Sequence, residues 1–251
     1  MLLLIDAGNT RVKWGIAEHG RWLVQGAVLH AQLDMLREIS ISYPDVRRIL
    51  GANVAGAGVG RHIGELLGTL TPRPEWLQAS AQCCGVRNLY ETPAQLGADR
   101  WAALIGARAI HSAACLVVNA GTATTVDLLD AEGCFQGGLI LPGEALMRQS
   151  LYRNTAQLPL AEGHFRIAPR NTADAIVSGC LTAQAGAIER MFQQCGHDPQ
   201  ALCLLNGGAA PQIEALLTIP LRRVDNLVLD GLATIAGAFP SAIAAESGTL
   251  R

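Results

Sequence analysis

LVVNAGTATTVDLL, residues 116–129, decides the fold because it repeats a plan the chain has already used once. LLLIDAGNTRVKWGI, residues 2–16, carries the same parts in the same order: an apolar run, a polar Asp or Asn, a small residue, Gly, a nearby Thr and a second apolar run. Each stretch reads as a β-hairpin, since short apolar runs flank turn-forming Gly, Asn and Thr. Asp6 and Asn119 stand 113 positions apart in a chain of 251 residues. Two hairpins of one formula, half a chain apart, predict a duplicated α/β domain divided into residues 1–114 and 115–251, with both turns presented to a shared cleft.

The first turn poses a chemical question. Asp6 stands at its mouth, and Arg11 and Lys13 follow it. The carboxylate either closes an Asx-turn on its own backbone or faces a metal ion that lies between it and a phosphate. Gly8 permits either a positive φ or the close approach of a bound group.

Composition narrows the partners. Half of the residues are hydrophobic and the formal net charge is −2, which argues against nucleic acid or an anionic membrane as the main partner. No apolar run is long enough to span a membrane, and no basic region precedes the first apolar strand, so a cytoplasmic location is expected. Seven cysteines, an odd number without CxxC spacing, read as reduced residues and not as a disulfide frame or zinc site. Cys83 and Cys84 are adjacent, which leaves redox chemistry open beside a structural role. The scattered histidines contain no HExxH, so no histidine metal site is expected.

Along the first half, 47–54 reads as a strand, the segment after Gly60 as a helix, 74–79 as a short apolar segment and 99–113 as a buried helix. The second half reads as a hairpin ending in GGLILPG (137–143), helices over 144–151 and 171–194, a strand and Gly-Gly turn over 201–208, and a small-residue helix over 231–239. GAGVG at 56–60 has GxGxG spacing, not the GxGxxG of a dinucleotide loop, and no GxxxxGK[ST] occurs. Phosphate handling is therefore expected at the two hairpin turns.

GADR, residues 97–100, opens the buried helix. Free amides and the dipole at a helix start favour anions, an Arg there can grip a carboxylate, and an Asp can take a hydroxyl proton. The alternative is an Asp that caps the helix beside an Arg in a surface ion pair.

Taken together, DAGNTRVK (6–13), GADR (97–100), NAGTATTVD (119–127), GGLILPG (137–143) and Asn171–Thr172 closely resemble the type III pantothenate kinases over nearly the whole chain. The resemblance implies duplicated actin-like, ribonuclease H-like domains, each a mixed sheet flanked by helices, with an ATP cleft between them. It implies ATP-dependent phosphorylation of pantothenate to 4′-phosphopantothenate, the first step of coenzyme A synthesis. By position, Asp6, Ala7, Gly8, Asn9, Thr10, Arg11, Val12 and Lys13 form the first phosphate loop, Asp6 orienting Mg²⁺, and Thr122 belongs to the second. Asp99 matches the general base. Gly97, Ala98 and Arg100 complete the substrate loop, and Tyr90 and Thr172 match further substrate contacts. The family's homodimer would bring Thr172 across from the partner chain. Asn119 departs from the pattern: relatives commonly carry Asp there, where it binds potassium or ammonium, and Asn lacks the charge that offsets cation dehydration. Asp127, in the same hairpin, is either a source of that charge or a strand-end residue. A non-catalytic transcription accessory on the same scaffold, or a kinase for another small hydroxy acid, are the other functions considered.

Overall fold

A computed structural model of the chain describes residues 1–70, 72–160, 162–196 and 198–238. They form two compact units: Met1–Ser112 with Gly133–Phe135 and Asn226 onward, and Ala113–Glu132 with Gln136–Asp225.

Unit 1 begins with the expected hairpin, β1 (Leu2–Ala7) and β2 (Arg11–Glu18), antiparallel with Ala7 opposite Val12. A third strand, β3 (Arg21–Leu29), continues antiparallel from β2. A 3₁₀ stretch and α1 (Arg37–Ser42) lead to β4 (Arg48–Asn53), which returns parallel to β1. Then follow α2 (Ala57–Leu66) and β5 (Glu75–Trp76), parallel to β4, giving the order β3-β2-β1-β4-β5. Leu3, Ile5, Val12, Ile16, Ile49 and Ile63 fill the core on one face, as period-2 alternation requires of a sheet covered by helices. The helix expected after Gly60 starts earlier, at Ala57, because Gly56 turns the chain with φ +97°. A small hairpin, β6 (Gln82–Cys83) and β7 (Val86–Asn88), precedes α3 (Ala98–Ile110). α3 stops at Ile110, short of the expected 113, where His111 turns extended.

Unit 2 repeats the plan. β8 (Cys115–Ala120) and β9 (Ala123–Leu129) form the second hairpin. β10 (Cys134–Pro142) starts with Cys134 and Phe135, which belong to unit 1 and pair with Arg87 and Asn88, and runs on into unit 2. α4 (Glu144–Asn154), α5 (Thr172–Phe192), β11 (Leu202–Asn206), α6 (Ala210–Glu214) and β12 (Leu221–Arg223) follow. The order β10-β9-β8-β11-β12, with β11 parallel to β8 and β12 parallel to β11, matches that of unit 1. The equivalence reaches single bonds: Val54 N–H donates to the Ala7 carbonyl after β4, and Ala209 N–H to the Ala120 carbonyl after β11, both at 3.0 Å. Unit 2 therefore duplicates unit 1 strand for strand, as the repeated hairpin predicted, in the ribonuclease H-like plan that the family resemblance implied.

The chain returns to unit 1 with α7 (Leu227–Ile235), which packs along α3. The contact is close because glycines face it: a Cβ on Gly231 would overlap the Ala102 backbone, and one on Gly106 would come within 2.5 Å of the Leu227 carbonyl oxygen. This packing is why residues 226–238 group with unit 1, whereas the repeat alone put them with 115–251. The end of the expected 231–239 helix, Phe239, lies outside the described residues.

Candidate active site

The first turn and the start of α3 both belong to unit 1. Asp6 is the penultimate residue of β1 and sits directly opposite Lys13 of β2, so both side chains leave the same face of the sheet. Burial, and then the charge of Asp99, push the Asp6 carboxyl up to about 7, against the pull of Lys13. Gly8 does not occupy the left-handed region, and a Cβ there would meet only the Arg11 carbonyl, at 3.4 Å. Of its two expected reasons, the close approach of a bound group remains. His30, which the sequence did not single out, donates from Nε2 to the Gly8 carbonyl at 2.8 Å and ties the turn down. Asn9, Thr10 and Arg11 are exposed, whereas the side chains of Ala7 and Val12 are fully buried in the core. Those two residues therefore offer only backbone to a ligand.

Asp99 lies in the first turn of α3, after the N-cap Gly97 and Ala98. Its Oδ1 accepts the Arg100 N–H at 2.8 Å. Burial raises the proton affinity of Asp99 above the ordinary value, and its bond to the Arg100 amide opposes this less strongly. Gly97 has an ordinary φ of −56°. Its role is room: a Cβ there would lie 2.7 Å from Asp99 Oδ1.

Arg100 is 6 % exposed and is no surface ion pair. Its Nη1 donates to the Tyr90 hydroxyl at 3.0 Å, and its guanidinium lies 5.7 Å from the Tyr90 ring centre and 5.8 Å from that of Phe135. Those rings pack on each other at 5.2 Å. Phe135 is a member of this corner that the sequence reading missed, since an apolar residue at a strand start carries no mark of its later neighbours. Asn88, 5 % exposed, holds Tyr90 by accepting its N–H at 3.1 Å.

In unit 2, Thr122 is exposed in the β8–β9 turn, and its carbonyl accepts the Gly143 N–H at the start of α4 at 2.9 Å. Gly207, beyond β11, has φ +108°, and a Cβ there would strike the backbone of Ala120, so the turn expected at 207–208 needs glycine on both counts. Asn119 pairs across β8 with Thr125 and Asn206. Asp127 is not a strand-end residue. It sits inside β9 opposite Val117, 1 % exposed, and shares a face with Thr125 and so with Asn119. Thr172 is exposed at the first position of α5, behind Asn171, whose side chain accepts the Asp174 N–H. None of the seven cysteines is in a disulfide. No described helix is long and apolar enough to cross a membrane.

Two ribonuclease H-like units, with a carboxylate near the end of the first strand and another at a helix start, make an actin-like fold. The comparisons with known proteins agree. A 2-dehydro-3-deoxygalactonokinase assignment from Sinorhizobium meliloti shares the fold at TM-score 0.59 and 13% identity, covering all of both chains. A chain from Campylobacter jejuni, described as a Baf family transcriptional activator, does so at TM-score 0.61 and 19% identity over 94% of this chain and 97% of its own. The sequence profile of the type III pantothenate kinases matches residues 2–194. The type III pantothenate kinase of Aromatoleum aromaticum is 64% identical over 236 residues, 94% of this chain and 98% of that one. The chain belongs to the type III pantothenate kinase family.

Proposed function

We propose that this chain transfers the γ-phosphoryl group of ATP to the 4′ hydroxyl of pantothenate, giving 4′-phosphopantothenate, the first step of coenzyme A biosynthesis, in the cytoplasm. The observation that carries the reading is the Asp99 carboxylate, tethered at the start of α3 and given room by Gly97. Its raised proton affinity brings it nearer to the working pH, where a carboxylate accepts a hydroxyl proton most effectively. In this reading Asp99 aligns the alcohol and takes its proton. Most of the remaining catalysis is positioning and charge compensation. Gly97 and Ala98 lend backbone to the acceptor, Tyr90 lines it, and the Arg100 charge draws its carboxylate. Phosphates are held by Asn9, Thr10, Arg11 and Lys13, by the backbone of Ala7, Gly8 and Val12, and by Thr122.

A magnesium ion suits the donors at Asp6. Two half-buried hard-oxygen carboxylates act on each other there with Lys13 as counter-charge, and Mg²⁺ typically takes one or two protein carboxylates and fills its shell with phosphate and water. Asp6 would hold it, and the ion would offset phosphate charge. The family's monovalent-cation site maps to Asn119, which lacks the charge that offsets a cation's dehydration, so turnover without potassium or ammonium is expected.

A homodimer is part of this proposal. Among the described residues α4 buries none of its own. Ile140, Leu146, Leu151, Tyr152, Leu160 and Ile167 are all exposed on unit 2, Ile167 at 96 %. Exposed apolar side chains this close together along the chain suit an interaction surface. A second copy covers it and brings its own Thr172 to the acceptor.

The retained pair Asp6 and Asp99 speaks against a non-catalytic accessory role. The test is coupled ADP release with and without pantothenate, in sodium, potassium and ammonium salts in turn. Pantothenate-dependent release in all three is expected. No pantothenate-dependent release in any salt would overturn the function, and release confined to potassium and ammonium would overturn the reading of Asn119.

A further inference from the structure

The adjacent cysteines stand at the tip of the β6–β7 hairpin, and the mechanism uses neither. Cys84 is exposed with φ +49°, Cys83 is half-exposed, and their sulfurs lie 3.4 Å apart. Two sulfurs held at ~2.3 Å by one pyramidal or tetrahedral centre stand roughly 3.3–3.8 Å apart, so this pair already has the bite of a chelate. We infer that Cys83 and Cys84 form a binding site for soft, two-bond thiophiles of the trivalent arsenic class, and that its occupation weakens use of the acceptor substrate.

The state of the thiols selects this chemistry over oxidation. Burial, and then the hydrogen bond shared with Cys83, push the Cys84 thiol up to about 11, so little Cys84 thiolate is present at neutral pH to attack a peroxide. An organoarsenic(III) oxide needs no free thiolate at equilibrium. Both S–H protons leave with its oxygen as water, two As–S bonds replace the As–O bonds, and no atom changes oxidation state.

The hairpin also leads directly to the acceptor corner. Asn88, two residues after the buried Val86, accepts the Tyr90 N–H and donates from Nδ2 to the Ser80 and Pro93 carbonyls at 3.3 and 3.1 Å. β7 pairs with Cys134 and Phe135, and the Leu89 N–H donates to the Phe135 carbonyl at 3.2 Å. Closing a chelate ring across Cys83–Cys84 changes the backbone that holds both Tyr90 and Phe135, the two rings around Arg100. This second half rests on the kinase reading of that corner; the binding half does not.

The test treats the full-length protein with phenylarsine oxide and reads intact mass together with steady-state kinetics. One phenylarsenic group per chain is expected, absent from Cys84→Ser and from Cys83→Ser, and removed by 2,3-dimercaptopropanol. The unmodified variants should retain wild-type turnover. KM for pantothenate should rise by at least about fivefold on modification, the low end of ordinary coupling between two sites. No uptake, or undiminished uptake by Cys84→Ser, would overturn the site; the latter would direct the arsenical to Cys195 and Cys203, which are near enough for Cys195 to raise the proton affinity of Cys203. Stoichiometric uptake with unchanged KM would overturn the coupling.

Discussion

Asp99 and Gly97 act as one device at the residue scale. Adding one methyl group at 97 puts carbon 2.7 Å from the carboxylate oxygen, and the side chain must swing away. Gly97→Ala should leave the circular dichroism spectrum and melting point near wild type. Turnover should fall by about tenfold to a hundredfold, the typical cost of misplacing a reacting group by an ångström. An unchanged kcat would separate the glycine from the carboxylate. Asp6 gives a second residue-scale prediction, with a definite sign. Its carboxyl binds a proton more tightly in the folded chain than at its ordinary value of 3.8. Asp6 therefore favours the fold at acid pH, and this contribution is lost as pH rises through about 7. In metal-free buffer at pH 7.5, Asp6→Asn should raise stability by on the order of 1 kcal/mol while it reduces activity. Its advantage over wild type should vanish towards pH 4, as urea unfolding at several pH values would reveal. A variant less stable than wild type at pH 7.5 would contradict the assignment.

Elements carry the next level. α3 and α7 touch through Gly106 and Gly231, where no side chain fits. Gly231→Ala should therefore cost about 1–3 kcal/mol through overpacking, and a thermal melt should fall by several degrees. A melting point equal to wild type would mean the helices separate freely. The two hairpins were legible in the sequence because their information is local: alternating apolar runs, turn residues between them, and the same formula twice. The start of α3 was legible for the same reason, since GADR combines cap and charge. What escaped was tertiary. Nothing near Phe135 announces Tyr90 and Arg100, nothing near His30 announces the Gly8 carbonyl, and the grouping of α7 with unit 1 depends on a helix over a hundred residues earlier. Asp127 was left open between a charge source and a strand end because the repeat fixes which residues share a hairpin but not where the strands stop.

Across the whole molecule, the duplicated strand order makes the turns after β1 and β8, the matching first strands of the two units, equivalent positions. The exposed apolar surface on β10, α4 and the segment after it belongs to this scale too. Leu151→Asp should shift sedimentation from dimer to monomer and, by withdrawing the partner's Thr172, raise KM for pantothenate more than KM for ATP. A monomeric wild type would remove the partner from the site.

The proton acceptor is the centre of the account, and phosphorus NMR of the product tests it most directly. Wild-type protein given ATP, magnesium and pantothenate should build up a 4′-phosphopantothenate resonance, and folded Asp99→Asn should do so ~10²–10⁴-fold more slowly. Equal rates for the two proteins, or inorganic phosphate as the sole new signal from wild type, would contradict it.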